Sequence, residues 1–196
     1  NNRCSKFIAC SRDAGDYKTT IPYFPNGSLD KLFSISIDEQ TINLTMIDKI
    51  VIIVEVATAL NDLHSKNEFH GNLSSQSIYI NGSKDAYIGS FCHDRNKEDY
   101  ESKVAGPLYY RPPEIFENNT SDDQKNKDDD EFLEKQRNID IYSLGVLMHE
   151  ILTEVSPESR FGNRTGQNRW EILKGECKNY CDFLFKEGGG NEVFED

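Results

Sequence analysis

Phe69-His70-Gly71-Asn72-Leu73-Ser74-Ser75-Gln76-Ser77-Ile78 is the stretch on which the reading of this chain turns. It is a polar loop set between two apolar segments. Ahead of it, residues 44–64 carry Ile47, Ile50, Val51, Val54, Ala57, Leu60 and Leu63 at three- and four-residue steps, a spacing that predicts a helix. Ile52, Ile53 and Val56 widen the apolar face until the helix reads as buried almost all round. Behind the loop, residues 77–82 read as a short strand entering the Asn81-Gly82 turn, and residues 86–88 as a second strand. Within the loop itself His70 is the one titratable side chain.

Outward from this centre the organisation is uneven. Residues 5–10 and 16–24 read as two short strands around the polar turn 11–15. Pro22 and Pro25 stop sheet pairing, Asn26-Gly27 makes a turn, and Ser28 is placed to cap a short helix over 29–33. A polar linker, 34–43, follows. Beyond the strands, residues 90–109 read as a long loop. Residues 115–138 hold Asp122, Asp123, Asp128, Asp129, Asp130, Glu131 and Glu134, too little apolar surface to offset the entropy of ordering, so most of this segment is expected to be a mobile insertion. Residues 139–152 form a second apolar helix. After Ser156 only a short helix around 170–173 is expected, and the tail from Gly188 onward is expected to be disordered.

Composition excludes several classes of function. With 196 residues, 36% hydrophobic and 29% charged, the chain is long enough for one cored domain or a large part of one. No apolar run approaches the roughly 18 residues of a membrane span. The chain starts at Asn1 without a secretory signal, which reads as a fragment or processed piece. A formal charge of −12 argues against nucleic acid as a partner, which would call for a basic patch. The odd set Cys4, Cys10, Cys92, Cys177 and Cys181 lacks paired Cys-x-x-Cys spacing and reads as thiols in a reducing, cytoplasmic compartment.

Motifs then follow in order along the chain. Ile21-Pro22-Tyr23-Phe24-Pro25-Asn26-Gly27-Ser28-Leu29 precedes the loop; Ala86-Tyr87-Ile88-Gly89-Ser90-Phe91-Cys92 follows it. Next come Gly106-Pro107-Leu108-Tyr109-Tyr110-Arg111-Pro112-Pro113-Glu114 and Asn138-Ile139-Asp140-Ile141-Tyr142-Ser143-Leu144-Gly145 at the head of an apolar helix. This series resembles the eukaryotic protein kinase domain from the interlobe hinge to the central C-lobe helix, over residues 16–153, with the tyrosine-kinase-like group nearest. The loop is similar to His-Arg-Asp-Leu-Lys-Pro-x-Asn-Ile, with His70, Leu73 and Ile78 in register.

The resemblance implies an α+β, protein-kinase-like fold: a mainly helical C-lobe with small β-hairpins, preceded by a two-strand N-lobe remnant. It divides the chain into remnant and hinge (1–25), C-lobe (26–156, with the acidic insertion at about 117–137) and a poorly defined C-terminal segment (157–196). By the same resemblance Ile21 is the gatekeeper, and the Pro22 carbonyl and Phe24 N–H would face an adenine ring; taken alone, the segment also reads as a strand ending in a turn. His70, Phe91, Glu114 and Asp140 stand at scaffold positions, Asp140 as helix cap and support of the loop.

The same alignment strips the chemistry. The base aspartate is Asn72, whose amide cannot accept a proton. The arginine is Gly71 and the lysine is Ser74. The two metal positions are Ser77 and Ser90, hydroxyls where magnesium prefers carboxylates. Asp94 is a nearby acid that reads more simply as a solvated loop residue. The Gly-rich loop and phosphate-binding lysine are absent from residues 1–20. No catalytic residue is therefore intact and no metal is expected; ATP, if bound, is expected to bind weakly and without magnesium. The reading is a pseudokinase that binds, scaffolds or regulates protein partners inside the cell. The alternatives are an ATP-binding Ser/Thr or Tyr kinase whose N-lobe lies outside this chain, and a gene remnant that does not fold.

Overall fold

The computed structural model describes residues 3–6, 8–13, 16–34, 42–91, 107–112, 115, 129–157 and 159. Strands β1 (Ala9–Asp13) and β2 (Asp16–Thr20) form an antiparallel hairpin with Ala9 opposite Thr20 and Asp13 opposite Asp16. The expected strands at 5–10 and 16–24 are thus displaced at both outer ends. On one side Pro22, without an N–H, lies two residues beyond the last pair. On the other, residues 3–5 leave the hairpin and run parallel to a C-lobe strand, with Ser5 N–H donating to Ile88 O at 2.7 Å and Ile88 N–H to Arg3 O at 2.9 Å. Arg3 fixes this crossing through Glu55 at 2.5 Å and Asp85 at 3.4 Å.

The hinge residues reach helix α1 (Leu29–Ser34) through a tight turn in which Gly27 N–H donates to Phe24 O at 3.0 Å. Gly27 sits at φ +70°, a left-handed conformation that only glycine takes without strain. Its carbonyl accepts from Ile80 N–H at 2.9 Å, which pins the turn to the sheet below.

Helix α2 (Met46–His64) starts at a capping box: Thr45 Oγ1 accepts from Asp48 N–H at 3.2 Å, and Asp48 Oδ2 accepts from Thr45 N–H at 2.9 Å. Lys84 Nζ, 2.7 Å from Asp48 Oδ2, together with the Thr45 bonds, holds that carboxyl down at about 2. The helix is not buried all round. Ile52, Val56, Ala59 and Leu60 face the core, whereas Ile47 (74% exposed), Ile50, Val51 and Val54 face outward. The expected core face is therefore open over its first half, from Ile47 to Val54, and buried at its end, where Leu60 and Leu63 pack on the core. In a helix so widely apolar the sequence carries little contrast to mark the buried face; packing against the strand at 86–88 and the helix at 129–153 marks it instead.

Strands β3 (Ile78–Ile80) and β4 (Ala86–Ile88) form the small hairpin beside the loop, in the places the sequence indicated. Asn81 closes it, its Oδ1 accepting from Ser83 and Asp85 N–H at 2.9 Å each. Helix α3 spans Asp129–Thr153, 25 residues. The expected helix at 139–152 is its second half, and residues 129–137 of the expected mobile insertion are helical; residues 117–128 lie outside the described set. The buried stripe of α3 runs through Gln136, Ile139, Asp140, Ser143, Val146, Leu147, Glu150 and Ile151, spaced three and four apart. Four of these are polar, so apolar periodicity alone begins the helix too late. Phe132, edge-on to Phe69 at 5.9 Å, attaches the acidic turn to the body. The core itself joins Leu29 and Leu32 of α1, the buried face of α2, Ile78, Ile80 and Ile88 of the sheet, and Val146, Leu147 and Ile151 of α3.

Candidate functional site

The loop begins where α2 ends. Ser65 N–H closes the helix on Asn61 O at 2.9 Å, Glu68 N–H returns to Leu63 O, and Phe69 dips into the core. His70 follows, 0% exposed. Its Nε2 lies 2.9 Å from Gly89 O and its Nδ1 accepts from Asn72 N–H at 3.2 Å, so the proton sits on Nε2 and the ring is neutral. Burial pushes the His70 pKa down to about 4, against the opposing pull of Asp140 and the Gly89 carbonyl. Phe91 packs beside it, ring centroids 4.8 Å apart.

Asp140 reaches the loop from α3. Its Oδ2 accepts from His70 N–H at 2.8 Å and lies 3.0 Å from His64 Nε2; its Oδ1 accepts from Gly71 N–H at 2.9 Å. It does not stand at a helix start, as the sequence suggested, because α3 begins at Asp129. In the helix interior the backbone N–H groups have partners within the helix, and the carboxylate is free to serve the loop and the end of α2. Gly71, at φ +70°, turns the chain there.

Asn72, Ser77 and Ser90, where the resemblance would put a kinase's reacting groups, each bond to a neighbour within the chain. Asn72 Nδ2 donates to Ser90 O at 2.9 Å. Its Oδ1 is buried without a hydrogen-bond partner among the described residues. Ser77 Oγ donates to Ser74 O at 2.8 Å and accepts from Ser74 N–H at 3.0 Å, closing the loop on itself with both serines buried. Ser90, at φ +55°, shares a hydrogen bond of 2.8 Å with Tyr79 through its hydroxyl. The donor set for a magnesium ion at these positions is two neutral hydroxyls, each already engaged, which does not fit a cation that selects carboxylates. Among the described residues no group of three or more His, Cys, Asp or Glu side chains is placed to hold a metal.

At the hinge, Ile21 is 38% exposed and Tyr23 projects outward. Phe24 turns toward the sheet, stacked on Tyr79 at 5.1 Å with the rings 22° apart, and packs on Tyr87 at 5.4 Å. Glu114, Cys92 and Asp94 lie outside the described residues.

The structure adds a polar junction that sequence reasoning did not single out. Glu150, buried on α3, accepts from Ser75 Oγ at 3.0 Å and from Tyr110 OH, and Ser143 Oγ lies 2.6 Å from Tyr110 O. It fastens the loop to the segment ending at Arg111. The available signal was a lone glutamate on the core stripe of an apolar helix, which a buried charge occupies only with partners. His64 and Tyr79 were likewise passed over, the first as a helix end and the second as one aromatic between two isoleucines.

A helix with one face in the core, a braced His70 loop, a short hairpin and a long helix that holds the loop from beneath are the parts of a protein kinase domain. Residues 2–177 match the family model described as protein tyrosine and serine/threonine kinase, and the chain belongs to that family. Among curated proteins it is similar to three from Arabidopsis thaliana. With "Probable L-type lectin-domain containing receptor kinase S.5" it shares 24% identity over 186 residues, 86% of this chain and 26% of that protein. With wall-associated receptor kinase-like 5 it shares 25% over 169 residues, 83% of this chain and 21% of that protein. With an inactive leucine-rich repeat receptor-like serine/threonine-protein kinase it shares 28% over 137 residues, 67% of this chain and 20% of that protein. The chain thus spans about a quarter or less of the length of these relatives. Among the described residues no helix is long and apolar enough to cross a membrane.

Proposed function

We propose that this domain is a pseudokinase: it keeps the kinase loop and its supports, transfers no phosphate, and serves as a binding or regulatory module for protein partners. The observation that carries this reading is that Asn72, Ser77 and Ser90, an amide and two hydroxyls, bond to neighbours in the chain, with Ser74 and Ser77 buried. An amide donating to the Ser90 carbonyl cannot take a proton from a hydroxyl, a service worth about 10²–10⁴ in rate. Phosphoryl transfer relies on positioning and on metal charge, and neither metal position offers a carboxylate. The loop's shape, by contrast, is well supported, with two backbone hydrogen bonds to Asp140 and a junction at Glu150. Similarity to a relative named as inactive is in keeping with this, and the receptor-kinase relatives favour placement on the intracellular side of a larger protein.

The rival reading is an ATP-binding kinase completed by an N-lobe outside this chain, and relatives named as kinases favour it. Thermal unfolding of the full-length protein with ATP, with and without magnesium, separates the two. The pseudokinase reading expects no magnesium-dependent stabilisation, with any ATP effect small and the same in EDTA. A rise in Tm that requires magnesium refutes it.

A further inference from the structure

Resting on the inactive reading, we infer that Tyr79 is a built-in plug, an aromatic ring standing where a purine nucleotide would lie between the hinge and the Ser90 turn. Tyr79 is the middle residue of β3. Ile78 and Ile80 on either side point into the core, so its ring leaves the sheet on the opposite face.

Three contacts place that ring. It stacks on Phe24 of the hinge at 5.1 Å. Its hydroxyl reaches Ser90 Oγ at 2.8 Å. Its edge lies over Gly89, where an added Cβ would come within 3.0 Å of Tyr79 Cε2 and 3.2 Å of Ser5 Cβ, so the absence of a side chain at Gly89 makes room for it. One side chain therefore joins the hinge, which a base would have to touch, to the turn that the phosphates and their metal would have to touch. A planar ligand stacking there has to displace a ring already stacked, and with it a hydrogen bond. Its apparent affinity is the intrinsic affinity multiplied by the fraction of time the ring is out.

If the Phe24–Tyr79 pair were ordinary packing, removing the ring would loosen the fold and gain nothing. The plug makes the opposite prediction. ATP binding is measured by titration calorimetry on the full chain, with and without magnesium, for wild type, Tyr79→Phe, Tyr79→Leu and Tyr79→Ala, each checked by circular dichroism. Wild type and Tyr79→Phe, which keep the ring, bind weakly or not at all. Tyr79→Ala and Tyr79→Leu bind at least about tenfold more tightly, without need of magnesium. Should Tyr79→Ala fail to fold, Tyr79→Leu, which retains apolar volume, decides. The inference is overturned if wild type binds as tightly as the ringless variants, or if folded ringless variants gain nothing. In either case the inactive reading stands unless the binding depends on magnesium, which overturns that reading separately.

Discussion

Removing the Asp140 carboxylate tests the bracing of the loop. Asp140 is 0% exposed and accepts from His70 N–H, Gly71 N–H and His64 Nε2 at 2.8, 2.9 and 3.0 Å. In Asp140→Ala the His70 and Gly71 N–H groups lose this acceptor, the first in a fully buried setting. Each bond to a charged acceptor is worth about 1.5–3 kcal/mol, and an unpaired buried donor costs about 1–3 kcal/mol. Because the losses share one side chain they do not add fully, and about 3–5 kcal/mol is expected for the alanine variant. A domain of this size has about 5–15 kcal/mol in all, so the variant lies near the edge of folding. Asp140→Asn keeps one oxygen acceptor but turns an NH₂ toward a donor, and falls between wild type and alanine. Urea unfolding followed by circular dichroism gives the energies, and hydrogen exchange at residues 70–73 shows whether the loss is local to the loop. An Asp140→Ala protein within about 1 kcal/mol of wild type, with loop protection intact, refutes the bracing role.

Three further outcomes follow from the same geometry. His70 has its pKa pushed down to about 4, so below its ordinary value the unfolded chain takes up a proton before the fold does. Stability therefore falls as pH drops from about 6.5 to about 4, by about 3 kcal/mol in total, and this contribution is flat below that. Urea midpoints across that window check it, against a His70→Asn variant that lacks the titration. Second, Glu150→Gln and Tyr110→Phe each destabilise by about 1–3 kcal/mol, and the double variant loses less than their sum, because Tyr110 OH and Glu150 belong to one network. Third, Ile52→Ala on the buried face of α2 costs about 2–5 kcal/mol, whereas Ile47→Ala, 74% exposed, stays within about 0.5 kcal/mol; denaturation curves for the two show which face is core.

The family and the order of elements were legible because they rest on local signals in fixed sequence. The turn at Asn26-Gly27, the strands flanking Asn81 and the apolar helices are each written in a few adjacent residues. The α2 face was not legible, since a helix rich in Ile and Val on all sides reveals its buried face only through what packs on it. The start of α3 was missed for a related reason. Gln136, Asp140, Ser143 and Glu150 are core positions whose polarity hides the helical stripe; only the fold shows Asp140 and Glu150 meeting the loop and Ser143 meeting Tyr110 O. At the candidate site the substitutions at Asn72, Ser77 and Ser90 could be read directly, but their destinations could not. That Asn72 donates to Ser90 O and that Tyr79 reaches from Phe24 to Ser90 are tertiary facts without periodicity or spacing to announce them, whereas Ser77 folding back on Ser74 is a local contact three residues apart.

The central claim is that the loop at His70 holds a surface and not a phosphate. Its most direct test is transfer of labelled γ-phosphate by the full-length protein to itself and to a generic protein substrate, with magnesium or manganese present, beside an Asn72→Ala variant. The account predicts incorporation at background for both proteins, with no difference between them. Incorporation above background that Asn72→Ala abolishes contradicts it.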